Sequence, residues 1–441
     1  MEDTIVAPAT PPALSAIALI RMSGPKSLEI ISSLLRKSFK GDPQRLYYRK
    51  LYFGEELLDD VVLSYWKSPR SYTGEDMIEI SCHGNPYIVE RILEACLKKG
   101  ARLASPGEFT KRAFLNGKMD LTQAEAIIDL IHAGGMLALK SAQALQSGGL
   151  SKELLRIRAE LIDILAEVEA YIDFPEEDIQ PEVGDQLIGR LLAMENKLST
   201  LLSSAPLSRV LREGLTIVLA GSPNVGKSSL FNALLKENRA IVSPHPGTTR
   251  DTIEAECRIS SFLVKIVDTA GQRVADDQIE AEGIRRAQEA VKRGDLILHL
   301  VSAPDDPSTD PYVLPQLQAQ QKVIAIASKA DLGIHPANKD KHALSIVTGM
   351  GLEELEEKIK KLLESFFPMD FSYGVNPRQQ AALAKMAEAL NKAILGIKNS
   401  LPPELISSEL HECLERVGEI VGLVSSEDIL DKIFQKFCIG K

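Results

Sequence analysis

Cysteine is scarce in this 441-residue chain: there are five, at positions 82, 96, 257, 413 and 438, with no CxxC pair among them. An odd, scattered set argues against a disulfide framework or a cysteine-built zinc site, and for a reducing compartment. Positive charge is not in excess either, since 51 Lys and Arg face 61 Asp and Glu for a formal net charge of −10. That balance argues against a wholesale electrostatic wrap around nucleic acid, though it leaves room for a local basic patch. No apolar run reaches the roughly 18 residues of a membrane span. The opening Met1-Glu2-Asp3 is acidic and lacks the basic region of a secretory signal. Internal repeats and low-complexity segments are missing too. What remains is ordinary globular composition, 44% apolar and 25% charged, with length for about three domains. The expectation is a soluble, cytoplasmic protein with no membrane association.

Hydrophobic periodicity divides the chain. Residues 1–118 alternate short strand-like pieces (Ala16 to Arg21, Leu57 to Trp66, Met77 to Cys82) with helices expected over Pro25–Lys37 and Pro86–Lys99, an α+β unit. From 119 to 211 the pattern is helical, with Leu154, Ile157, Leu161, Leu165, Val168 and Ile172 forming an apolar stripe. The acidic run Asp173 to Asp178 breaks that helix, and a second amphipathic run spans Leu187 to Leu202. Residues 212–367 alternate apolar strands (Leu215–Ala220, Phe262–Val267, Leu296–Val301, Val323–Ala327) with helices, which predicts a mostly parallel sheet covered on both faces. Residues 368–441 return to helices over 377–399, 403–424 and 426–437. The fold class read from this is α/β plus α: an N-terminal α+β domain, then a discontinuous helical domain with an α/β unit inserted into it.

One motif carries the chemistry. Gly221-Ser222-Pro223-Asn224-Val225-Gly226-Lys227-Ser228 follows a strand, opens a helix and fits GxxxxGK[ST]. In such a loop backbone N–H groups cradle phosphates, the lysine reaches the β and γ oxygens, and the serine ligates Mg²⁺. Ser229 extends the contact run from Asn224 into the helix. Gly247-Thr248-Thr249-Arg250 lies in the next loop, where Thr249 could close onto Mg²⁺ and the γ-phosphate. Asp268-Thr269-Ala270-Gly271 ends a strand and places a carboxylate near the metal. Ser328-Lys329-Ala330-Asp331 ends a later strand, and Asp331 can accept from guanine N1–H and N2–H₂, which adenine cannot supply. These four elements in this order resemble the translation-factor-related GTPases. Ser328 stands where Asn or Thr is usual, and Ser345-Ile346-Val347 where SAK is usual, so weaker guanine affinity is expected but no change of base.

Outside that unit, Asp3 to Pro12, Ser71-Tyr72-Thr73-Gly74-Glu75-Asp76, Cys82-His83-Gly84, Pro106 to Lys118, Asp173 to Asp178 and Cys438-Ile439-Gly440-Lys441 resemble the MnmE (TrmE) family of tRNA uridine-5-carboxymethylaminomethyl modification GTPases. The resemblance runs through essentially the whole chain. It implies a homodimer formed through the N-terminal domain, which binds a tetrahydrofolate derivative (5-formyl- or 5,10-methylene-tetrahydrofolate). It also implies a heterotetramer with the FAD-dependent partner MnmG (GidA), acting on the wobble uridine of certain tRNAs. Folate contacts carried over are Arg21, Glu79, Lys118 and Lys441, cations suiting the glutamate tail and a carboxylate the pterin edge. Ala13-Leu14-Ser15 replaces the Gly-rich turn usual after Pro11-Pro12, which would restrict backbone approach to a ligand.

The same resemblance implies K⁺ in place of an arginine finger, held by Asn224 with oxygens from Ser243, His245 (through its carbonyl) and Thr248, in the nucleotide loop that includes Pro244 and Pro246. Two residues compete for orienting the attacking water: Glu280, by the family's position, and Gln272, directly after Gly271, as in Ras-like enzymes. Cys438 reads either as a thiol near the folate pocket or as a small packing residue, and His83 as a pocket group or a hydrogen-bonded strand-end residue. Cys82, Cys96, Cys257 and Cys413 read as packing residues, and Lys111, Arg112 and Lys118 as a basic patch facing tRNA or solvent. Competing functions are a ribosome-assembly GTPase, although a second P-loop is absent, and a folate-binding scaffold with weak GTPase activity.

Overall fold

Period-two alternation builds the first sheet. In β2 (Ser15–Ser23), Ala18, Ile20 and Met22 point into the core while Ile17 is exposed and Leu19 and Arg21 lie half-buried on the other side. In the computed structural model β2 sits beside β1 (Ile5–Pro8) and β5 (Met77–Gly84), with β3 (Leu46–Phe53), β4 (Glu56–Trp66) and β6 (Arg102–Leu103) completing the order β3-β4-β5-β2-β1-β6. Pairings are antiparallel except β1 with β6. The described residues are 3–36, 39–173, 181–237, 253–260, 262–268, 288–318, 321–367, 371–424 and 427–441.

The sheet belongs to one of two compact units, formed by Met1–Ile128, Leu145–Glu195 and Ala381–Lys441. Helices Ser27–Ser33 and Pro86–Lys98 cover one sheet face, with Ile30, Ile31, Ile92, Ala95 and Cys96 packed against Val6, Ile20, Leu63 and Ile80. The first is shorter than the expected Pro25–Lys37. Ser32 and Ser33 hydroxyls turn back onto Leu28 O (2.6 Å) and Ile30 O (2.7 Å), and the Leu34 N–H closes a tighter turn onto Ile31 O (3.1 Å). Further along, helix Gly149–Asp173 buries Leu154, Ile157, Leu161, Ile164 and Val168 against helix Pro403–Val421. Ile164 is the fully buried residue of its turn rather than the expected Leu165. Helices 121–132 and 427–434 share a second cluster of Leu121, Ile127, Leu430, Ile433, Phe434 and Phe437. Residues far apart in sequence thus share the helical layers, in keeping with the α/β plus α class.

The second unit comprises Asp129–Ala144 and Asn196–Gln380. Its sheet has the order β12-β11-β10-β7-β9-β8, from β7 (Leu215–Ala220), β8 (Ile253–Ile259), β9 (Phe262–Asp268), β10 (Leu296–Ser302), β11 (Lys322–Ser328) and β12 (His342–Leu344). All pairs are parallel except β8 with β9, as the expectation of a mostly parallel sheet requires. Central strands β7 and β10 are near-continuous apolar runs because both faces are covered. Helices Lys227–Glu237 and Leu352–Glu364 contribute Leu230, Leu234, Leu355 and Ile359 to the core. Among the described residues no helix is long and apolar enough to cross a membrane.

Candidate functional site

Parallel register brings the phosphate-loop residues together. Strand β7 ends at Ala220, and the chain turns at Gly221, Asn224 and Gly226, all with positive φ (142°, 60° and 105°), before helix Lys227–Glu237. A side chain on Gly221 would place its Cβ 2.3 Å from Leu300 O, so only glycine fits where the loop leaves the sheet. Leu219 is in register with Asp268, which sets that carboxylate at the adjoining strand end, 1% exposed. Asp268 Oδ2 accepts the Ser228 hydroxyl at 2.7 Å. Lys227, 5% exposed, donates from Nζ to Gly221 O and Ser222 O, each at 2.7 Å. Burial lowers the lysine pKa, and the nearby Asp268 and Asp310 carboxylates work against that shift. The cluster thus offers a buried cation on a loop with inward-turned backbone, and a hydroxyl–carboxylate oxygen pair. These are hard donors, and they suit Mg²⁺, which is held by one or two protein oxygens plus substrate phosphates. Among the described residues no group of three or more His, Cys, Asp or Glu gathers as a metal cage.

Ser328 takes a part that differs from the base contact expected of it. Its hydroxyl is buried and faces Val225 O (2.5 Å) and Val301 O (3.1 Å), so it ties the phosphate loop to β10 and β11. Lys329 follows in a left-handed conformation (φ 58°), and Asp331 is exposed on the short turn Ala330–Leu332. Beside them Ser345 is fully buried, its N–H donating to Met350 O at 2.9 Å, while Val347 is exposed. Sequence reasoning passed over Asn338, whose buried amide donates to Ser302 O, Ala303 O and Asp305 O and braces the loop after β10. Ser243 to Thr249 with His245, Thr269, Ala270, Gly271, Gln272 and Glu280 lie outside the described residues.

A second cluster forms in the other unit. Arg21 on β2 and Glu79 on β5 are register partners, and Glu79 Oε1 accepts from Arg21 Nε (3.0 Å) and Nη2 (2.8 Å). Arg21 also donates to Gly440 O at 3.3 Å and lies over the rings of Tyr72 (5.3 Å) and Phe109 (5.8 Å). Lys441 joins them: burial first, then Arg21, lowers its pKa while Glu79 opposes, and its main-chain oxygen accepts the Phe109 N–H at 3.2 Å. Gly440 (φ +93°) is required there, because a Cβ would lie 2.2 Å from Pro8 O. Three of the four expected folate contacts therefore converge. Lys118 has other company, donating to Pro69 O at 2.9 Å with its stem against Gly74.

The basic-patch reading is corrected at Arg112 and Lys111. Arg112 is fully buried and pairs with Asp3 Oδ1 (2.8 Å), Glu108 Oε1 (3.0 Å) and Glu75 Oε2 (3.1 Å). Lys111 pairs with Asp431 at 2.6 Å, so these two cations are spent inside the unit, while Lys118 is exposed with its ammonium on a carbonyl oxygen. His83 is the strand-end residue, exposed, with Nδ1 2.7 Å from Asp59 Oδ1. Burial pushes the thiols of Cys82 and Cys257 up to about 11 and those of Cys96 and Cys413 to about 12, as packing residues require, whereas Cys438 is exposed.

Two family profiles match the chain: "GTP-binding protein TrmE N-terminus" over residues 4–118 and "MnmE helical domain" over residues 121–438. Proteins named tRNA modification GTPase MnmE are similar end to end. That of Akkermansia muciniphila is 43% identical, with 100% of this chain and 99% of its own length covered. Those of Aquifex aeolicus and Thermotoga maritima are 42% and 40% identical, with 100% of both chains covered. Among solved structures, Aquifex aeolicus Era bound to GDP.AlF4⁻ aligns over 40% of this chain and 66% of its own, at 25% identity and a TM-score of 0.25. The T. maritima FeoB G domain aligns over 33% and 97%, at 28% identity and a TM-score of 0.24.

Proposed function

The chain belongs to the MnmE family of tRNA modification GTPases, and from that premise we propose that it hydrolyses GTP in the service of tRNA wobble-uridine modification. The observation that carries the GTPase reading is the Ser228–Asp268 pair beside buried Lys227, at the end of three parallel strands. In this reading Lys227 neutralises phosphate charge and the backbone from Asn224 to Ser229 cradles it. Ser228 and Asp268, with Thr249 from outside the described residues, hold Mg²⁺. Asp331 selects guanine, Lys329 covers the base, and Ser345 to Val347 approach it through their backbone. Bound Mg²⁺ would supply neutralisation of charge on the phosphate oxygens.

The finer assignments follow the family. Asn224 with Ser243, His245 and Thr248 takes K⁺, and either Glu280 or Gln272 orients water. Arg21, Glu79 and Lys441 bind a tetrahydrofolate derivative, supported by their convergence on one spot, where the cations suit a carboxylate tail and the carboxylate of Glu79 the pterin edge. Lys118 would have to leave Pro69 O to take part. The working assembly is a cytoplasmic homodimer joined with an FAD-dependent MnmG-type partner and tRNA. Since Arg112 and Lys111 are paired internally and the chain carries a net charge of −10, much of the tRNA contact falls to that partner.

Steady-state GTP and ATP hydrolysis in matched KCl and NaCl buffers, across protein concentration, tests the proposal. Turnover specific to GTP that rises with K⁺ and with concentration is expected. GTP turnover indifferent to K⁺ removes the cation assignment and moves the water-orienting role to Gln272. Equal turnover by Glu280→Ala and the unaltered chain removes the role of Glu280. Turnover that does not distinguish GTP from ATP removes the Asp331 assignment.

A further inference from the structure

The segment after β10 carries a charge that the nucleotide-site reading does not use. Asp306 caps the short turn Pro307–Thr309, and the chain then comes back to the phosphate loop. There Asp310 Oδ1 accepts both the Ser222 hydroxyl and, at 2.9 Å, the Tyr312 backbone N–H. Tyr312 fixes the return. Its ring centroid is 5.8 Å from that of His299 on β10, and it packs on the cluster of Val218, Ala220, Val267, Val291 and Ile297. A packed aromatic thus delivers the carboxylate onto the second residue of the loop. Asp310 is close enough to Lys227 for its field to reach the ammonium, and Ser222, Asn224, Asp310 and Lys329 line one cavity of about 340 Å³.

Nothing in the proposed hydrolysis needs an acid at this place, and a carboxylate beside a phosphate cradle works against its ligand. A nucleoside triphosphate brings more negative charge than a diphosphate, so the penalty is larger for the triphosphate. We propose that Asp310, hydrogen-bonded to Ser222 and anchored through Tyr312, sets the balance between nucleoside triphosphate and diphosphate at this loop by penalising the triphosphate. The inference deepens the GTPase reading and rests on it. Unit charges roughly 6–8 Å apart across a partly solvated loop change a binding equilibrium by about three- to thirtyfold.

Asp310→Asn isolates the charge, because the amide oxygen still accepts from Ser222 and Tyr312 while the negative charge is gone. Fluorescent GTP and GDP analogues titrated against the full chain with Mg²⁺ at low ionic strength give the affinity ratio. Asp310→Asn is expected to shift that ratio toward GTP by threefold or more, and the shift should shrink as NaCl rises to about 0.5 M. An unchanged ratio, a shift toward GDP, or a shift indifferent to salt overturns the inference. Asp310→Ala, which also removes both hydrogen bonds, should move the ratio in the same direction. A ratio that moves in the alanine variant alone marks a purely structural residue and overturns it too. Binding of neither analogue by the unaltered chain is a separate outcome: it overturns the GTPase reading itself and this inference with it.

Discussion

Arg112→Met should destabilise the first unit by about 3 kcal/mol, at the lower end of the range for breaking one side of a buried ion pair. The guanidinium has 0% exposure and faces three carboxylates. Asp3 is 46% exposed, so its share is screened, and Arg102 still holds both Asp3 and Glu108 after the substitution. Glu75, 13% exposed, is left with the Ser23 hydroxyl at 2.8 Å. Most of the cost therefore comes from that one carboxylate. For a unit of this size the loss corresponds to about 6–12 °C in thermal midpoint, read by calorimetry as the transition of that unit. Adding Glu75→Gln to Arg112→Met should return about 1 kcal/mol or more. Acid should narrow the gap, and the sign follows from Glu108. Burial alone would raise its pKa, but bonds from Arg102, the Ser105 N–H and Arg112 outweigh this and hold it below its usual 4.5. Its contribution is complete above pH 4.5 and fades as pH falls through the depressed value. A midpoint loss under about 2 °C at pH 7, or a double variant no more stable than Arg112→Met, would refute the reasoning.

Three other outcomes are expected. Ser328→Ala removes the hydroxyl tie to Val225 O and Val301 O, costing about 1–2 kcal/mol, and guanine-nucleotide titration should show roughly 5- to 30-fold weaker binding; a change under twofold counts against the tie. Asp268→Asn breaks the charged half of the Ser228 pair and should weaken Mg²⁺ affinity about 10- to 100-fold, measured as the Mg²⁺ dependence of GTP turnover; an unchanged Mg²⁺ midpoint contradicts the site. Gly440→Ala forces a Cβ to within 2.2 Å of Pro8 O at φ +93°, about 1–3 kcal/mol of strain. It should cost roughly tenfold in tetrahydrofolate binding by calorimetric titration and leave GTP affinity within about twofold.

The phosphate loop was legible because its chemistry leaves few options: glycines where the backbone turns left-handed, and a lysine and a serine at fixed offsets. Strands β7, β9, β10 and β11 were legible because strands covered on both faces are written as apolar runs. Strand β3 was not, since at the sheet edge Leu46, Tyr48, Arg49 and Lys50 are all exposed and the alternation is weak. Strand β8, whose Cys257 and Ile259 are buried, and the three-residue β12 also went unread. Arg112 was misread for a different reason: residue type does not report burial, and two of its partners, Asp3 and Glu75, come from distant segments. The third was visible, because Glu108 and Arg112 stand at i and i+4 on one helix. For Ser328 the side chain was read correctly as a retained hydroxyl, but its direction depends on where Val225 and Val301 lie once the sheet has formed.

The clasp of Gly440 and Lys441 onto Pro8, Arg21 and Phe109 has a consequence in time as well as in space. During synthesis the described strands and core helices of the α/β unit have all been made once residue 364 is passed, while the last segment of the chain is still to come. The Arg21–Glu79 pair must wait for residues 440 and 441 before its surroundings are complete. A chain arrested or clipped a few residues short would therefore keep the described strands of the α/β unit and leave the Arg21 guanidinium without the Gly440 carbonyl, and the Phe109 N–H without the Lys441 oxygen, that they now meet.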